Sequence, residues 1–438
     1  MLPRVVIVGG GFGGLAAVRA LRHAPVSVTL IDKRNYHLFR PMLYQAATGL
    51  LSGDEISGPL RSIFSHQKNV DVLLDEVTGV NPDQHIVHLT RGELRYEFLI
   101  LATGVQYNYF GHDEWRRYAP GLESLDDADL IRGKILRAFE RAEEMASIEH
   151  AATEEICRQL TFALVGAGTV GVEMASTLAE MSRMALAHDF RHIDPTSARI
   201  LLYEAADRVL PTYPEDLSLK ARRHLESLGV AVYTNARVTG VDSEGIVVGG
   251  QRIQAATVLW GAGVVASPAG RWLGVETDGS GKIIVGPDLS LPGHREVFGI
   301  GDTAHVVAPV RDLLGITKPP MAMPGVAQPA IQEGKYVADV IRRRVTGHGE
   351  PEPFWYWDKG DLAIVGRTYA VADLRFVKFA GFPAWLIWAV VHIYFLIGFA
   401  NRLFVLLQWG LDFLAKRRQV RVLPLEPPAA KKFSDSAA

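Results

Sequence analysis

A glycine-rich turn near the start of the chain constrains the fold more than any other feature. An apolar run, residues 5–8, leads into a turn with G-x-G-x-x-G spacing at Gly9, Gly11 and Gly14, and a second apolar run ends at Asp32. A strand, a glycine turn, a helix and an acidic strand end, in this order, are typical of a dinucleotide-binding Rossmann fold. A glycine cluster in an ordinary loop is the alternative, and the complete context makes it the weaker one.

Each glycine of this turn has a separate role. Gly9 permits the tight turn, Gly11 lets the backbone approach a pyrophosphate, and Gly14 lets the helix pack closely on the sheet. The free N–H groups of the helix N-terminus then face the phosphates, and Asp32 is placed to accept from a ribose hydroxyl. The other predicted contacts of this turn come from Phe12, Gly13 and Lys33.

The same pattern occurs a second time. An apolar run leads into Gly166, Gly168 and Gly171 with identical spacing, and a further apolar run ends at Glu204. The sequence therefore predicts an α/β protein with two Rossmann-type dinucleotide-binding domains. One dinucleotide site is compatible with an ordinary dehydrogenase, whereas two imply that one cofactor passes electrons to another.

A third element indicates which cofactor the first fold binds. A short strand after the second nucleotide fold ends in Gly301-Asp302, so that the Asp302 carboxylate can reach the ribityl-phosphate arm of a flavin dinucleotide. A turn-forming aspartate after a glycine is the alternative. Val77 is expected to place its backbone near the adenine. Small residues that end another buried strand allow close approach of a ligand; they are Ala102, Thr103 and Gly104.

The second fold then takes a nicotinamide cofactor. Glu204 can accept two hydrogen bonds from the adenosine ribose, and its charge repels a 2′-phosphate, so we expect NADH rather than NADPH. Arg208 nearby leaves that preference open. Ala262 and Gly263 follow the closing strand of this fold and are expected to border the nicotinamide.

Glu173 is the acidic residue with the strongest claim to chemistry. It lies two residues after Gly171, on the first turn of a helix whose N-terminus is expected to point toward the meeting of the two cofactors. A carboxylate in this place also complements a helix dipole. Few other ionisable groups are expected between the cofactors, which favours a functional role.

Composition excludes several classes of function. The only cysteine, Cys157, excludes disulfide frameworks, cysteine zinc sites and any flavoenzyme chemistry that requires a cysteine pair, sulfide oxidation included. A formal net charge of −2 gives no reason to expect a nucleic-acid partner, and no metal site is predicted. His37 is expected to pack and form hydrogen bonds rather than to transfer protons. No secretory signal is expected at the start.

Two segments outside the nucleotide folds have distinct patterns. Residues 129–145 predict a solvated helix in a surface connection. Residues 379–400 contain no formally charged residue and match a transmembrane candidate by hydropathy alone, until Asn401-Arg402 interrupts the run. An amphipathic pattern then continues to Arg418, with basic residues at its end. We favour helices lying in the membrane interface; a single span and a homodimer interface are the alternatives.

The chain resembles the type II NADH dehydrogenases, single-subunit NADH:quinone oxidoreductases that do not pump protons, over essentially its whole length. The segments that carry the resemblance are the two glycine turns, Asn35-Tyr36-His37-Leu38-Phe39, Tyr44-Gln45-Ala46-Ala47-Thr48-Gly49, Leu101-Ala102-Thr103-Gly104, Leu259-Trp260-Gly261-Ala262-Gly263, Gly299-Ile300-Gly301-Asp302 and Ala327-Gln328-Pro329-Ala330-Ile331-Gln332. The last of these is the most specific.

The resemblance implies FAD in the first fold, held also by Asp302, Ala327 and Gln328, and NADH in the second. It implies that Glu173, Gln328 and Gln332 surround the flavin and a quinone. The two glutamines lie one helical turn apart and share a face; their amides can orient a quinone carbonyl but cannot supply its protons, and paired glutamines on a helix are often only solvated.

The predicted domains are an FAD-binding domain, 1–115 and 285–378, an NADH-binding domain, 116–284, membrane-anchoring helices, 379–420, and a disordered tail, 421–438. The expected function is oxidation of NADH with two-electron reduction of a membrane quinone, by a protein attached to the cytoplasmic face of the inner membrane. A flavin-dependent reductase with a protein acceptor and a redox-sensing NADH- and FAD-binding protein are the alternatives.

Overall fold

The computed structural model describes residues 2–415 and 422–423 of the 438-residue chain. The α-helices within these residues, numbered in chain order, are α1 (Phe12–Ala20), α2 (Leu43–Ala47), α3 (Leu60–Ile63), α4 (Leu125–Ser147), α5 (Thr153–Gln159), α6 (Thr169–Glu180), α7 (Glu215–Ser227), α8 (Ala269–Leu273), α9 (Ala327–Thr346), α10 (Phe382–Phe395) and α11 (Phe399–Ala415).

A six-stranded sheet forms the centre of the first nucleotide fold. Its strands, from one edge to the other, are Ser290–Leu291, His294–Gly299, Phe98–Leu101, Arg4–Val8, Ser27–Asp32 and Val70–Leu74. All neighbours pair in parallel except the first two. The strand that carries Gly301-Asp302 at its end therefore returns to this sheet after the second fold, as the flavin assignment requires.

A four-stranded parallel sheet forms the second nucleotide fold, with strands Val230–Tyr233, Arg199–Tyr203, Thr161–Val165 and Thr257–Trp260 in spatial order. Each nucleotide fold is accompanied by an antiparallel three-stranded meander. These meanders are Val77–Asn81, Ile86–Leu89 and Gly92–Arg95, and Val238–Asp242, Gly245–Val248 and Gln251–Gln254. The repeat seen in the glycine motifs thus extends to whole folds.

The remaining strands connect these units. Two three-stranded sheets consist of Thr317–Ala322, Val307–Arg311 and Tyr356–Trp357, and of Asp361–Ile364, Ala370–Asp373 and Lys378–Gly381; the strand pairs are Val105–Tyr107 with Val264–Ala266, Ile283–Ile284 with Ala304–His305, and Tyr36–Leu38 with Ser57–Pro59. The pair formed by Val105–Tyr107 and Val264–Ala266 joins the two nucleotide folds. The 361–381 sheet shares its hydrophobic core with α6, α7 and α10, although the predicted boundaries assign most of it to the flavin domain.

Helix α4 corrects the prediction of a solvated surface helix over 129–145. One face of α4 is fully buried, with Ile131, Ile135 and Phe139 at 0–1% exposure. This face packs in the same core as α2 and the second nucleotide fold. The prediction gave too much weight to the charged residues of the segment. Its apolar residues recur every three to four positions, which is the spacing of an amphipathic helix with one buried face.

The apolar run near the C-terminus is divided differently from the prediction. It begins as a strand, continues as α10, and turns at Leu396-Ile397-Gly398 rather than at Asn401-Arg402. Gly398 has φ of 82°, a conformation that glycine adopts without strain. Within residues 2–415, no helix combines the length and the apolar character needed to cross a bilayer. Lys416–Gln419 and most of the predicted tail lie outside the described residues.

Candidate functional site

The first glycine turn has the geometry that its motif predicts. Gly9 has φ of 106°, and a Cβ at this position would lie 2.3 Å from the carbonyl oxygen of Ala102. A Cβ on Gly14 would lie 1.9 Å from the carbonyl oxygen of Gly9, so only glycine allows α1 to pack this closely on the strand. A Cβ on Gly11 would meet no atom within 4 Å. Space for a phosphate therefore lies beside Gly11.

The second glycine turn repeats this arrangement. Gly166 has φ of 97°, and a Cβ on Gly171 would lie 1.8 Å from the carbonyl oxygen of Gly166. A Cβ on Gly168 would again meet no atom within 4 Å. Both turns thus have open space at the position that contacts a pyrophosphate in this motif.

The acidic strand ends support the two turns in the same way. Asp32 accepts from the backbone N–H of Gly10 at 2.6 Å and of Arg34 at 2.7 Å. Glu204 accepts from the backbone N–H of Ala167 at 2.6 Å and of Ala206 at 2.8 Å. Burial raises the pKa of Asp32, while these donors oppose the shift. Each carboxylate is thus held at the edge of a glycine turn.

Asp302 lies at the N-terminal end of α9, in a second acidic region of the first fold. Gly301 has φ of 62° and donates its N–H to the Glu333 carboxylate at 2.5 Å. Burial raises the pKa of Asp302 and raises that of Glu333 to about 7, with the charge of Asp302 adding to the second shift. The sequence interpretation missed Glu333, which stands among the apolar positions of an amphipathic helix.

The two glutamines of α9 differ in their partners. The Gln332 amide donates to the carbonyl oxygen of Trp357 at 3.0 Å and accepts from the Trp357 N–H at 2.9 Å. Gln332 therefore holds α9 to the strand Tyr356–Trp357. The Oε1 atom of Gln328 is buried and has no hydrogen-bond partner within the described part of the chain. A buried acceptor is normally hydrogen-bonded, so Gln328, unlike Gln332, has an unmet hydrogen-bonding capacity in this structure.

Glu173 is buried, with 6% exposure, and burial alone raises its pKa well above the usual value. Burial raises the pKa of Tyr44, a buried residue of α2 in the first fold, and ionisation of Glu173 would raise it further. The Tyr44 hydroxyl accepts from Gln45 at 2.8 Å, and Gln45 accepts from the Trp409 indole of α11 at 3.1 Å. Sequence reasoning missed this connection, because its members are more than 360 residues apart.

The other predicted cofactor residues surround the two turns. The Thr103 hydroxyl contacts Ser267, and the N–H of Gly104 donates to Thr303 at 2.8 Å. Val77 begins the first meander, Ala327 begins α9, and Lys33 is exposed beside Asp32. On the second fold, Ala262 borders Gly166, and a Cβ on Gly263 would meet the Phe110 ring at 2.5 Å. The backbone of Gly13 touches α9 at Gly334.

The chain matches known proteins along most of its length. Residues 3–334 match the family model described as pyridine nucleotide-disulphide oxidoreductase. Two Mycobacterium tuberculosis proteins, the type II NADH:quinone oxidoreductases NdhA and Ndh, are 43% and 44% identical over 95% of this chain and 88% and 89% of their own lengths. The chain belongs to the type II NADH:quinone oxidoreductase family. The predicted resemblance is thus confirmed.

A solved structure agrees with this family fold. The Plasmodium falciparum NDH2 structure determined in complex with NADH superposes with a TM-score of 0.83, at 20% sequence identity, over 95% of this chain and 99% of that one. This likeness confirms the predicted mixed α/β fold.

His37 is packed and hydrogen-bonded inside the first fold of this type II NADH:quinone oxidoreductase. His37 is buried, its Nδ1 lies 2.8 Å from the carbonyl oxygen of Gly10, and burial lowers its pKa to about 4. The Phe12 ring packs edge-on against His37 at 5.2 Å between centroids. The prediction that His37 packs and forms hydrogen bonds is confirmed. Cys157 is exposed. Within the described residues, no group of His, Cys, Asp or Glu has a metal-binding arrangement.

Proposed function

We propose that this protein oxidises NADH and reduces a membrane quinone by two electrons through a bound flavin, without pumping protons. The observation that carries the proposal is the pair of glycine turns with open space at Gly11 and Gly168. These turns occur in a chain that is 43–44% identical to two type II NADH:quinone oxidoreductases over 95% of its length. Two nucleotide sites suit a nicotinamide donor and a flavin.

The flavin is proposed to be FAD, bound by the first fold. When bound, a flavin accepts a hydride from NADH and delivers two electrons to a quinone. Gly11 provides the space for a pyrophosphate, and Asp32 lies at the place of a ribose hydroxyl. The orphaned Oε1 of Gln328 and the half-buried Asp302 carboxyl provide polar groups for the rest of the cofactor. These residues fit a flavin dinucleotide.

The second fold is proposed to bind NADH. Gly168 leaves room for its pyrophosphate, and Glu204 is held with its carboxylate beside the turn. A carboxylate there favours a ribose diol over a 2′-phosphate. Ala262 and Gly263 are proposed to border the nicotinamide.

Three side chains are proposed to serve the reacting end. Glu173 retains a proton on its carboxyl at pH values where an exposed glutamate is ionised, because it is buried. It is therefore the proposed proton donor to the quinone. Gln328 orients a ligand carbonyl or ring nitrogen through its amide, and Gln332 fixes the position of α9 through Trp357.

The membrane contact is proposed to lie on α10 and α11, facing the cytoplasmic side of the inner membrane. Four residues at every fourth position of α10 form an exposed apolar stripe, with exposures of 51–68%: Phe382, Leu386, Val390 and Tyr394. On α11, Leu403, Phe404 and Leu407 are also exposed. Exposed apolar faces of this kind bind a membrane interface or a partner protein. A homodimer through the same stripe remains the alternative prediction.

The proposed function is tested with purified protein in detergent. We expect a flavin absorbance that NADH bleaches, and NADH oxidation that depends on an added soluble quinone. A preparation that contains flavin but transfers no electrons to any quinone would contradict the proposal that a quinone is the electron acceptor. Folded protein that contains no flavin and binds none when it is added would contradict the proposed flavin site in the first fold.

Glu173→Gln tests the proposed proton donor. The amide has the shape of the protonated carboxyl, so the fold is expected to persist at neutral pH. Turnover with quinone is expected to fall roughly 100-fold or more, the usual contribution of a general acid, while bleaching by NADH continues. Unchanged quinone turnover would assign proton delivery to water.

A further inference from the structure

A cavity of about 610 Å³ lies on the outer side of α1 and α9, where the turn between α10 and α11 covers them. Its lining does not include Gly11, Asp302, Gln328 or Glu173. Of the residues predicted to contact a cofactor or the quinone, only Phe12 lines the cavity. None of the proposed steps uses it.

The floor of this cavity is apolar. Phe12 and Leu15 contribute from α1, and Phe395, Leu396 and Ile397 contribute from the end of α10 and the turn that follows. Leu403 and Phe404, next to this turn, are exposed to the surroundings at 45% and 59%. The cavity thus lies at the border of the face proposed to contact the bilayer.

The rim of the cavity is strongly basic. Arg19, Lys335, Arg342 and Arg402 line it, against a single acidic residue, Asp339. Asp339 is already paired with two arginines of its own helix, one of them Arg342. Within the described residues, Arg19, Lys335 and Arg402 form no ion pair with an acidic side chain. In the part of the chain that the structure describes, three cations at this opening thus lack an anionic partner.

Arg19 and Arg402 approach each other from different elements. Burial and the charge of Arg402 together lower the pKa of Arg19. The Arg402 guanidinium donates to the carbonyl oxygen of Leu396 at 2.7 Å, which fixes it at the turn. Bringing like charges together costs free energy, and an anion placed between them would remove that cost.

We propose that this cavity binds the headgroup of one anionic phospholipid, with its phosphate between Arg19, Lys335 and Arg402 and the start of its acyl chain against Phe395 and Ile397. The basic residues match the phosphate of a phospholipid, and the apolar floor matches the acyl chain that is attached to it. The proposal rests on the proposed function only because that function places α10 and α11 at the bilayer. It gives the membrane contact a specific lipid site in addition to its apolar face.

The test is native mass spectrometry of the full-length, flavin-containing protein with short-chain phosphatidylglycerol, which remains soluble without a membrane. We expect one lipid per chain, with an affinity at least tenfold above that for phosphatidylcholine of equal chain length. The double substitution R19Q/K335Q is expected to lower the phosphatidylglycerol affinity roughly tenfold or more, because each basic residue near an anionic lipid contributes about 1 kcal/mol.

K220Q/R223Q is the matched control, because it removes two exposed charges from α7 and leaves the cavity intact. Equal loss in the control would overturn the site in favour of general surface attraction. Equal affinity for glycerol phosphate would overturn the lipid as ligand, and equal affinity for phosphatidylcholine would overturn the anion requirement. NADH oxidation with a soluble quinone is measured separately, so failure of the lipid site and failure of the proposed function are distinguishable.

Discussion

At the scale of single residues, the two glycine turns combine contact and open space. Gly9 and Gly14, like Gly166 and Gly171, have no room for a Cβ, whereas Gly11 and Gly168 have room for one in the absence of a cofactor. Gly9, Gly14, Gly166 and Gly171 are therefore required for folding, whereas Gly11 and Gly168 are expected to matter for cofactor binding. We expect a methyl group at Gly11 or Gly168 to leave the fold intact and to occupy the space proposed for a phosphate.

Gly11→Ala and Gly168→Ala should therefore weaken different cofactors. Both residues have φ near −70°, which alanine also adopts. We expect Gly168→Ala to raise the KM for NADH roughly tenfold or more at unchanged flavin content, since a poorly placed pyrophosphate loses about 1–3 kcal/mol of binding. Gly11→Ala should lower the flavin content. Flavin absorbance per chain and NADH titrations measure both effects.

Each variant is the control for the other. Loss of flavin from Gly168→Ala, or a raised KM for NADH with full flavin in Gly11→Ala, would reverse the assignment of the two sites.

Glu333 makes stability depend on pH. Its pKa rises from 4.5 to about 7 in the folded protein, so the folded state keeps a proton that the unfolded state releases as the pH rises from 4.5 to 7. Stability is therefore lost across this range, by roughly 3 kcal/mol from this group. Glu333→Gln retains an acceptor for the Gly301 N–H and should remove this loss.

Thermal unfolding of both proteins between pH 5 and 8 checks this expectation. The gain of Glu333→Gln over the natural protein should be small at pH 5 and larger at pH 8. A gain that shrinks with rising pH would show that Glu333 is ionised in the folded protein.

At the scale of elements, α9 carries one glutamine with a structural partner and one that is proposed to bind a ligand. Gln332 forms two hydrogen bonds with the backbone of Trp357, so Gln332→Leu should lower the free energy of unfolding by roughly 1–3 kcal/mol. Gln328→Leu removes an orphaned acceptor and should leave the stability of the flavin-free protein within about 0.5 kcal/mol. It should instead lower the affinity for flavin.

Urea unfolding of the flavin-free protein and flavin titration provide the two measurements. The substitutions are chemically identical and lie one turn apart on one helix, so each controls for the other. Equal destabilisation by both would show that Gln328 also has a structural partner.

The elements also show what a sequence can predict. The glycine turns, Asp32 and Glu204 followed from the sequence because backbone geometry and close packing restrict these positions to few residue types. The role of Gln332 did not, because its partner Trp357 is brought to it only by the tertiary fold. The buried face of α4 was missed for a related reason: its apolar residues are few among many charged ones.

At the scale of the whole molecule, α10 has two different faces. Ala384 and Trp388 are buried at 0% and 1% exposure, while Leu386 and Val390 are exposed at 51% and 63%. Leu386→Gln with Val390→Gln should therefore reduce attachment to vesicles without unfolding the protein. We expect at least a tenfold weaker partition, because two half-exposed apolar side chains lose on the order of 1–3 kcal/mol of burial.

Vesicle sedimentation measures this partition, and NADH oxidation with a soluble quinone should be unchanged. Leu130→Gln with Leu219→Gln alters two leucines of similar exposure on α4 and α7 and is the matched control. A shift from dimer to monomer without loss of vesicle binding would assign the stripe to self-association instead.

The burial of Trp388, and the hydrogen bond from Trp409 to Gln45, have a practical consequence for handling the protein. The C-terminal helices contribute to the hydrophobic core. Proteolytic removal of these helices would therefore expose apolar core surface and would not yield a water-soluble enzyme. We therefore expect that extraction of the intact chain requires a detergent that covers its exposed apolar face. Truncated forms are expected to aggregate in inclusion bodies.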